Sequence, residues 1–443
     1  MRAAIVGGGI SGLASAFRIA ELGCDVTLFE STDTLGGLAT SFAYTAPNGE
    51  TCELEKFYHC LLPNDDSLLR LVRDVGLEGD LLWRGTSMGF MVDRRIHPLN
   101  TPLDLLGFSP LRLDERLRLG FMAVWARLRG TNPRLDDVTA AEWIRGIVGE
   151  RAFELIWKPL LAAKIGDSYD RIPALWMSSR LHREKNTEKE RKGVLRGGYR
   201  SLVEAIERGL RARGARIRLG VDVRAIEAGA DDATVVLSDG ARERFDFVVS
   251  TAPLPAFQRM TQGVPIAPAT RDLELDYQGV VSGVLLLDKP LSTHYWMPFV
   301  ASGATSQGVI EMSNLMPLDR SAGLYVCYFV NYTHRASELY ARGDAEMLDA
   351  YRRDLDALFP HVGARVVDAF LFRAPFVEPI WTLGYSRRKP PLTAVHKRVY
   401  MVSTAQLYPR VNSWNSCCEV VDELVPEIVA QHGALAARAR EAA

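Results

Sequence analysis

The stretch Ala3–Glu30, AAIVGGGISGLASAFRIAELGCDVTLFE, decides how the chain folds. Ala3 to Val6 is a short apolar run, as expected of a strand buried on both faces of a parallel sheet. Gly7-Gly8-Gly9-Ile10-Ser11-Gly12 then fits G-x-G-x-x-G, with Gly7, Gly9 and Gly12 in the three glycine places. Leu13 to Leu22 carries no Gly or Pro and reads as a helix closed by Gly23. A second strand, Asp25 to Phe29, ends at Glu30. Gly7 permits the tight turn, Gly9 lets the backbone approach a pyrophosphate, and Gly12 lets helix and strand pack closely. Ile10 and Ser11 open the helix, whose unpaired N–H groups and partial positive charge suit phosphates. Glu30, roughly 20 residues on, is placed to accept hydrogen bonds from ribose hydroxyls. Strand, turn, helix, strand and acid in this order predict a dinucleotide site.

A second glycine pair, Gly36-Gly37, follows in STDTLGGLATSF. Nicotinamide-binding folds do not need it. Another close backbone approach so soon after the acid predicts a longer, more enclosed cofactor, and Leu38 follows that pair directly.

The 443 residues exceed one simple core and predict two domains. A net charge of −1 gives no support for nucleic-acid binding, which favours a basic surplus. The six cysteines, Cys24, Cys52, Cys60, Cys327, Cys417 and Cys418, show no C-x-x-C pair and no metal-site spacing. Free thiols and a nucleotide fold beginning at Ala3 lead to a cytoplasmic expectation. No apolar run is long enough to span a bilayer. The Leu- and Arg-rich segment Leu103–Arg129 is expected to form helices, with an apolar face that is core or else an interfacial membrane contact.

Elsewhere the pattern predicts a turn over Thr45–Thr51, a helix over Asp65–Gly76 and a hairpin in SMGFMVDRRIHPLN turning at Asp93-Arg94. Val138–Lys164 reads as helical, and Glu184–Lys192 as a solvated loop or exposed helix. RGGYRSLVEAIERGLRARGARIRLG reads as glycine pair, helix and strand. Strands are predicted at Val235–Leu237, Phe247–Ser250, Val280–Leu287, Tyr325–Val330 and Arg398–Val402, with helices at Met347–Phe359 and Cys418–Ala430.

VGGGISGLASAFRIAELGCDVTLFE with LGG after it, RGGYRSLVEAI, FDFVVSTAP and the closing AQLYP together resemble the FAD-dependent amine oxidase, protoporphyrinogen oxidase and phytoene desaturase superfamily. LEKFYHCLLPNDDSLLRLVRDVGL is also similar to UDP-galactopyranose mutase-type flavoproteins. The resemblance implies FAD as cofactor and an α/β fold. A Rossmann-like FAD-binding domain is expected from residues 1–62, 190–262 and 394–443. A discontinuous substrate domain of mixed sheet and helices, α+β in character, is expected from 63–189 and 263–393. It further implies Gly7, Gly9 and Gly12 on the pyrophosphate, Glu30 on the adenosine ribose, and Gly36 and Gly37 along the pyrophosphate and ribityl chain. Val223 matches a backbone contact to the adenine. The closing segment departs from the family: Ser403-Thr404-Ala405-Gln406 stands where many relatives have Gly-Asp or Gly-Met, and Gln406 is the cofactor contact expected there.

The candidates for the chemistry are His59, Lys164, Arg373 and Tyr385, with several neighbours weighed beside them. His59 could orient substrate or move a proton, or be a buried histidine held by backbone groups. Lys164 could approach the flavin or an acidic substrate, or pair with Asp167 at a helix end. Arg373 and Glu378, with Trp381 and Tyr385 after them, fall in a region that in relatives lies toward the substrate cavity; packing and surface charge are the alternative. Tyr408 and Trp414 could flank a ring or simply pack. Hydride transfer to flavin needs mainly positioning and exclusion of water, so no sharp catalytic triad is expected. The leading expectation is an oxidoreductase removing hydride from a C–N, C–C or C–O unit of a small-molecule substrate. A non-redox mutase of a sugar nucleotide would need Arg180, Arg183 and Arg373 to converge on a diphosphate, and a non-catalytic flavoprotein is the third class.

Overall fold

The computed structural model describes residues 1–129, 132–183, 191–393 and 395–441. A five-stranded parallel sheet runs in the order Val399–Met401, Phe247–Ser250, Arg2–Val6, Asp25–Phe29, Arg216–Arg218. Its centre is Ala3–Val6, buried on both faces, which explains an apolar run without alternation. The helix Ile10–Glu21 lies on this sheet beneath the terminal helix Trp414–Glu441. Gly23, at φ +82°, ends it, its N–H donating to Ala20 O at 3.0 Å.

A seven-stranded mixed sheet forms the second layer. Its order is Val366–Ile380, Asp276–Leu287, Tyr325–His334, Gly308–Glu311, Trp296–Val300, Gly89–Val92, Arg95–Pro98. Asp93 and Arg94, both at positive φ, make the turn of the Gly89–Pro98 hairpin. Period-two alternation divides this sheet into two faces. Val281, Leu285, Phe329 and Leu371 pack outward with Met347 and Tyr351 of the helix Asp344–Leu358. Val284, Leu286, Tyr328, Val330 and Phe372 pack inward with Tyr44 and Leu54 of the Ser41–Glu55 hairpin.

One expectation needs both a limit and a correction. Of the mixed-charge run Glu184–Lys192, residues 184–190 lie outside the described residues. Arg191 and Lys192 begin a strand, Arg191–Leu195, paired antiparallel with Leu81–Gly85. Its partner is remote in sequence, so no local pattern announced it. All six cysteines are free thiols.

Candidate active site

The glycine turn and the second glycine pair face each other. Gly36 N–H donates to Gly8 O at 2.8 Å, and a Cβ on Gly37 would come within 3.1 Å of Gly9 Cα. At Gly12 a Cβ would sit 1.8 Å from Gly7 O, so only glycine lets this helix start where it does. At Gly9 a Cβ would meet nothing within 4 Å: the turn opens there onto free space. The helix from Ile10 and Ser11 has no side-chain cap and no acid in its first turn, so its first N–H groups and positive end are uncompensated. That cradle fits a pyrophosphate.

Glu30 Oε2 accepts from Gly8 N–H at 2.6 Å and Oε1 from Thr32 N–H at 2.9 Å, which fixes the carboxylate beside the turn. Val221 N–H donates to Glu30 O at 2.9 Å, bringing the start of the Val223–Ala228 strand to the same corner. Gln406 is differently employed. Its Oε1 accepts from Ser403 N–H at 3.0 Å and its Nε2 donates to Pro391 O at 2.9 Å, so the side chain caps its own short helix.

Leu38 lines a cavity of about 40 Å³ whose other walls are Phe57, Tyr58, His59, Val280, Ser282, Val330, Tyr332 and Val377. The cavity thus joins the second glycine pair to the inner face of the seven-stranded sheet. His59 packs against Trp414 at a tilt, ring centres 4.4 Å apart, and meets Tyr199 at 5.5 Å. Its Nδ1 lies 3.0 Å from Phe57 O. Burial, with Lys164 nearby, lowers the imidazole to about 4, so at neutral pH the ring is uncharged. Nδ1–H then donates to Phe57 O and Nε2 is left as an acceptor. Tyr58 and Tyr332 join hydroxyls at 2.9 Å. Burial pushes Tyr332 up to about 12 and Tyr58 well above its ordinary value, so both are neutral phenols. One of their two hydroxyl hydrogens serves the pair, leaving the other to donate elsewhere.

Lys164 does not pair with Asp167. Its Nζ lies 2.8 Å from Glu378 Oε2 and 4.9 Å from the centre of the Tyr332 ring. Glu378 is fully buried, and its Oε1 and the Ser282 hydroxyl are buried without a partner. Asn412 Nδ2, from the closing segment, reaches Glu378 Oε2 at 3.3 Å.

Arg373 and Tyr385 lie elsewhere. Arg373 stands opposite Val281, on the outer face, where it donates to Tyr340 O at 2.9 Å and to Arg342 O and pairs with Asp344. The alternation that sends Phe372 inward turns Arg373 away from the cavity. Tyr385 is core: its hydroxyl donates to Ala405 O at 2.8 Å, and its ring packs 5.3 Å from Tyr408 and 6.3 Å from Trp381. Tyr408 donates to Asp136. The three arginines do not converge, because Arg183 binds Asp65, Arg180 lies 6.0 Å over Trp176 and Arg373 is outside.

A larger recess of about 440 Å³, lined by Gln258, Arg259 and Arg271 among others, lies under the helix Leu254–Met260. There Gln258 Nε2 donates to Thr270 O and Leu273 O at 2.9 Å, and Arg271 pairs with Asp272 at 2.8 Å.

Residues 10–409 match the family described as flavin containing amine oxidoreductase. The chain belongs to that family. Its cofactor is FAD, which agrees with the open cradle at Gly9. Coproporphyrinogen III oxidase of Staphylococcus aureus is 23% identical over 291 residues, 57% of this chain and 61% of that one. The 15-cis-phytoene desaturase of Solanum lycopersicum is 22% identical over 386 residues, 80% of this chain and 64% of that one. The chain therefore spans less than two thirds of either relative's length. The structure of reduced UDP-galactopyranose mutase is similar in fold, with a TM-score of 0.73 at 18% identity, covering 96% of this chain and 95% of the other. Among the described residues no helix is long and apolar enough to cross a membrane.

Sequence reasoning missed Tyr58, Ser282 and Tyr332. Tyr58 lies in the loop after the strand Thr51–Glu55, and the faces that Ser282 and Tyr332 present depend on partners far along the chain.

Proposed function

We propose that the protein is an FAD-dependent oxidoreductase that removes hydride from a C–N, C–C or C–O unit of a small organic molecule. Residues 1–62, 190–262 and 394–443 hold the cofactor, and 63–189 with 263–393 hold the substrate. The observation that carries this is the cavity in which Leu38, next to the cofactor cradle, meets Tyr58, His59, Ser282 and Tyr332 beside the Lys164–Glu378 pair. Bound FAD supplies the hydride acceptor. The apolar walls Val280, Val330 and Val377 exclude water, and the Tyr58–Tyr332 hydroxyls and Ser282 orient the donor. Glu378 Oε1, buried and unpartnered, is the acceptor for a substrate N–H or O–H proton, with Lys164 paired to the other carboxylate oxygen. Its partners are then a substrate and an electron acceptor of small-molecule size. The mutase alternative loses support because its three arginines are dispersed.

The test is anaerobic mixing of FAD-loaded protein with panels of amines, alcohols, polyenes and porphyrinogens, following bleaching of the oxidised-flavin band. One class should bleach it, and Glu378→Gln should slow that step by about 10²-fold or more. Conversion of a sugar nucleotide with no net redox change, or failure to take up FAD, would overturn the proposal.

A further inference from the structure

The helix Leu113–Arg129 buries Leu119 and Met122 as a surface helix does, yet carries a second apolar stripe on its outer side. Its acid Glu115 is buried, receiving Arg151 at 2.6 Å and Arg112 N–H at 2.7 Å. Its outer stripe is Leu113, Leu117, Phe121 and Val124, a line of roughly 16 Å at 1.5 Å per residue. Leu103 and Leu106 of the neighbouring helix Pro102–Gly107 extend it, all six being between 46% and 78% exposed. Ten large apolar side chains among the described residues are comparably exposed, and six are here. The two helices form one platform: Leu105 packs against Gly120, and Arg116 donates to Leu111 O at 2.7 Å and to Leu106 O. A clustered apolar face of this kind marks an interaction surface.

Charge around the stripe identifies the occupant. Arg112, just before the helix and paired with Asp114 at 3.0 Å, and Arg118 on it flank the stripe, and Arg94 and Arg95 are exposed on the hairpin whose second strand touches Pro102–Gly107. A second copy of the chain on this face would bring the same arginine rim against itself. An anionic leaflet neutralises it and takes up the apolar side chains. We infer that these two helices seat the protein on the interfacial layer of a membrane rich in anionic phospholipid, with Leu117 and Phe121 inserted and the arginines at headgroup level. The contact is peripheral.

Co-sedimentation of the full FAD-loaded chain with phosphatidylcholine vesicles, with and without phosphatidylglycerol, tests this. Wild type should partition to the phosphatidylglycerol vesicles, and Leu117→Glu/Phe121→Glu should lower that partition at least about tenfold. Arg112→Gln/Arg118→Gln should lower it by about fivefold per arginine, and added salt should weaken wild-type binding. The flavin spectrum and circular dichroism report whether each variant folds; if the glutamate variant does not, the arginine variant and the salt series decide. Wild type left in the supernatant with both vesicles, or binding unchanged by salt and by loss of the arginines, would overturn the inference. So would a dimer, seen by size exclusion and broken by Leu117→Glu/Phe121→Glu, that shows no vesicle binding.

Discussion

Lys164→Met leaves the fully buried Glu378 carboxylate facing only Asn412, at 3.3 Å. Removing one partner of a buried ion pair costs about 3–5 kcal/mol, because the remaining charge has lost both water and counter-ion. Lys164 keeps 26% of its side chain exposed, so solvent can partly replace it and the lower end, about 3 kcal/mol, applies. Glu378→Gln removes the buried charge itself and should cost less, about 1 kcal/mol, with Lys164 turning to solvent. The double variant Lys164→Met/Glu378→Gln buries no charge and should be more stable than Lys164→Met alone. The coupling should then be about 2 kcal/mol, against the ~0.5 kcal/mol scatter of independent sites. Urea unfolding of all four FAD-loaded proteins, with midpoint and slope recorded, measures it. Single effects that add within that scatter would show that the 2.8 Å contact is not a buried pair, and the role given to Glu378 would fall with it.

Gly9→Ala and Gly12→Ala should separate cofactor binding from folding. The first adds a Cβ to open space and should keep the fold while releasing FAD; the second drives a Cβ into Gly7 O and should lower the unfolding midpoint as well, both read from retained flavin absorbance and thermal melts. Arg373→Ala should loosen the segment Tyr340–Asp344 yet leave substrate-driven flavin reduction within about twofold, since Arg373 lies on the outer face; a 10²-fold loss would place it at the chemistry. Burial, with Arg398 beside it, lowers His432 to about 4, so folding favours the neutral ring. Stability is then intact above the unfolded value near 6.5 and falls as pH drops from there toward 4; His59 acts with the same sign. His432→Gln should shrink the drop in urea midpoint between pH 7 and about 5, and an unchanged drop would refute the assignment.

The cofactor cradle was legible because its constraints are local. Gly12 must be glycine to clear Gly7 O five residues earlier, and Glu30 reaches Gly8 across adjacent strands. The substrate side was less legible for a physical reason. Asp276–Leu287 is buried on both faces beyond its first residue, so its sequence shows no alternation from which to assign inner and outer sides. Arg373 therefore could not be told from Phe372 by pattern, though one reaches the segment Tyr340–Asp344 and the other packs into the inner cluster. Lys164 looked like a helix-end cation beside Asp167, and only the long strand Val366–Ile380 brings Glu378 to it. Gln406 stood in a segment that implied cofactor contact, but a capping turn had already claimed its amide.

The order of the parallel sheet has a consequence for synthesis. Val399–Met401 supplies its edge next to Phe247–Ser250, and the helix beginning at Trp414 covers Ile10–Glu21, with Arg18 tied to Asp422 at 3.2 Å. On the ribosome the turn Gly7–Gly12 precedes its cover, and the helix behind it, though packed against Gly198–Ala212, lacks its other cover until the segment from Trp414 is made. The strands Asp276–Leu287, Tyr325–His334 and Val366–Ile380 can pair before that. The core of the seven-stranded sheet is therefore free to form while the parallel sheet is still open, and a nascent chain stalled before Trp414 presents part of the apolar side of the helix Ile10–Glu21 to chaperones.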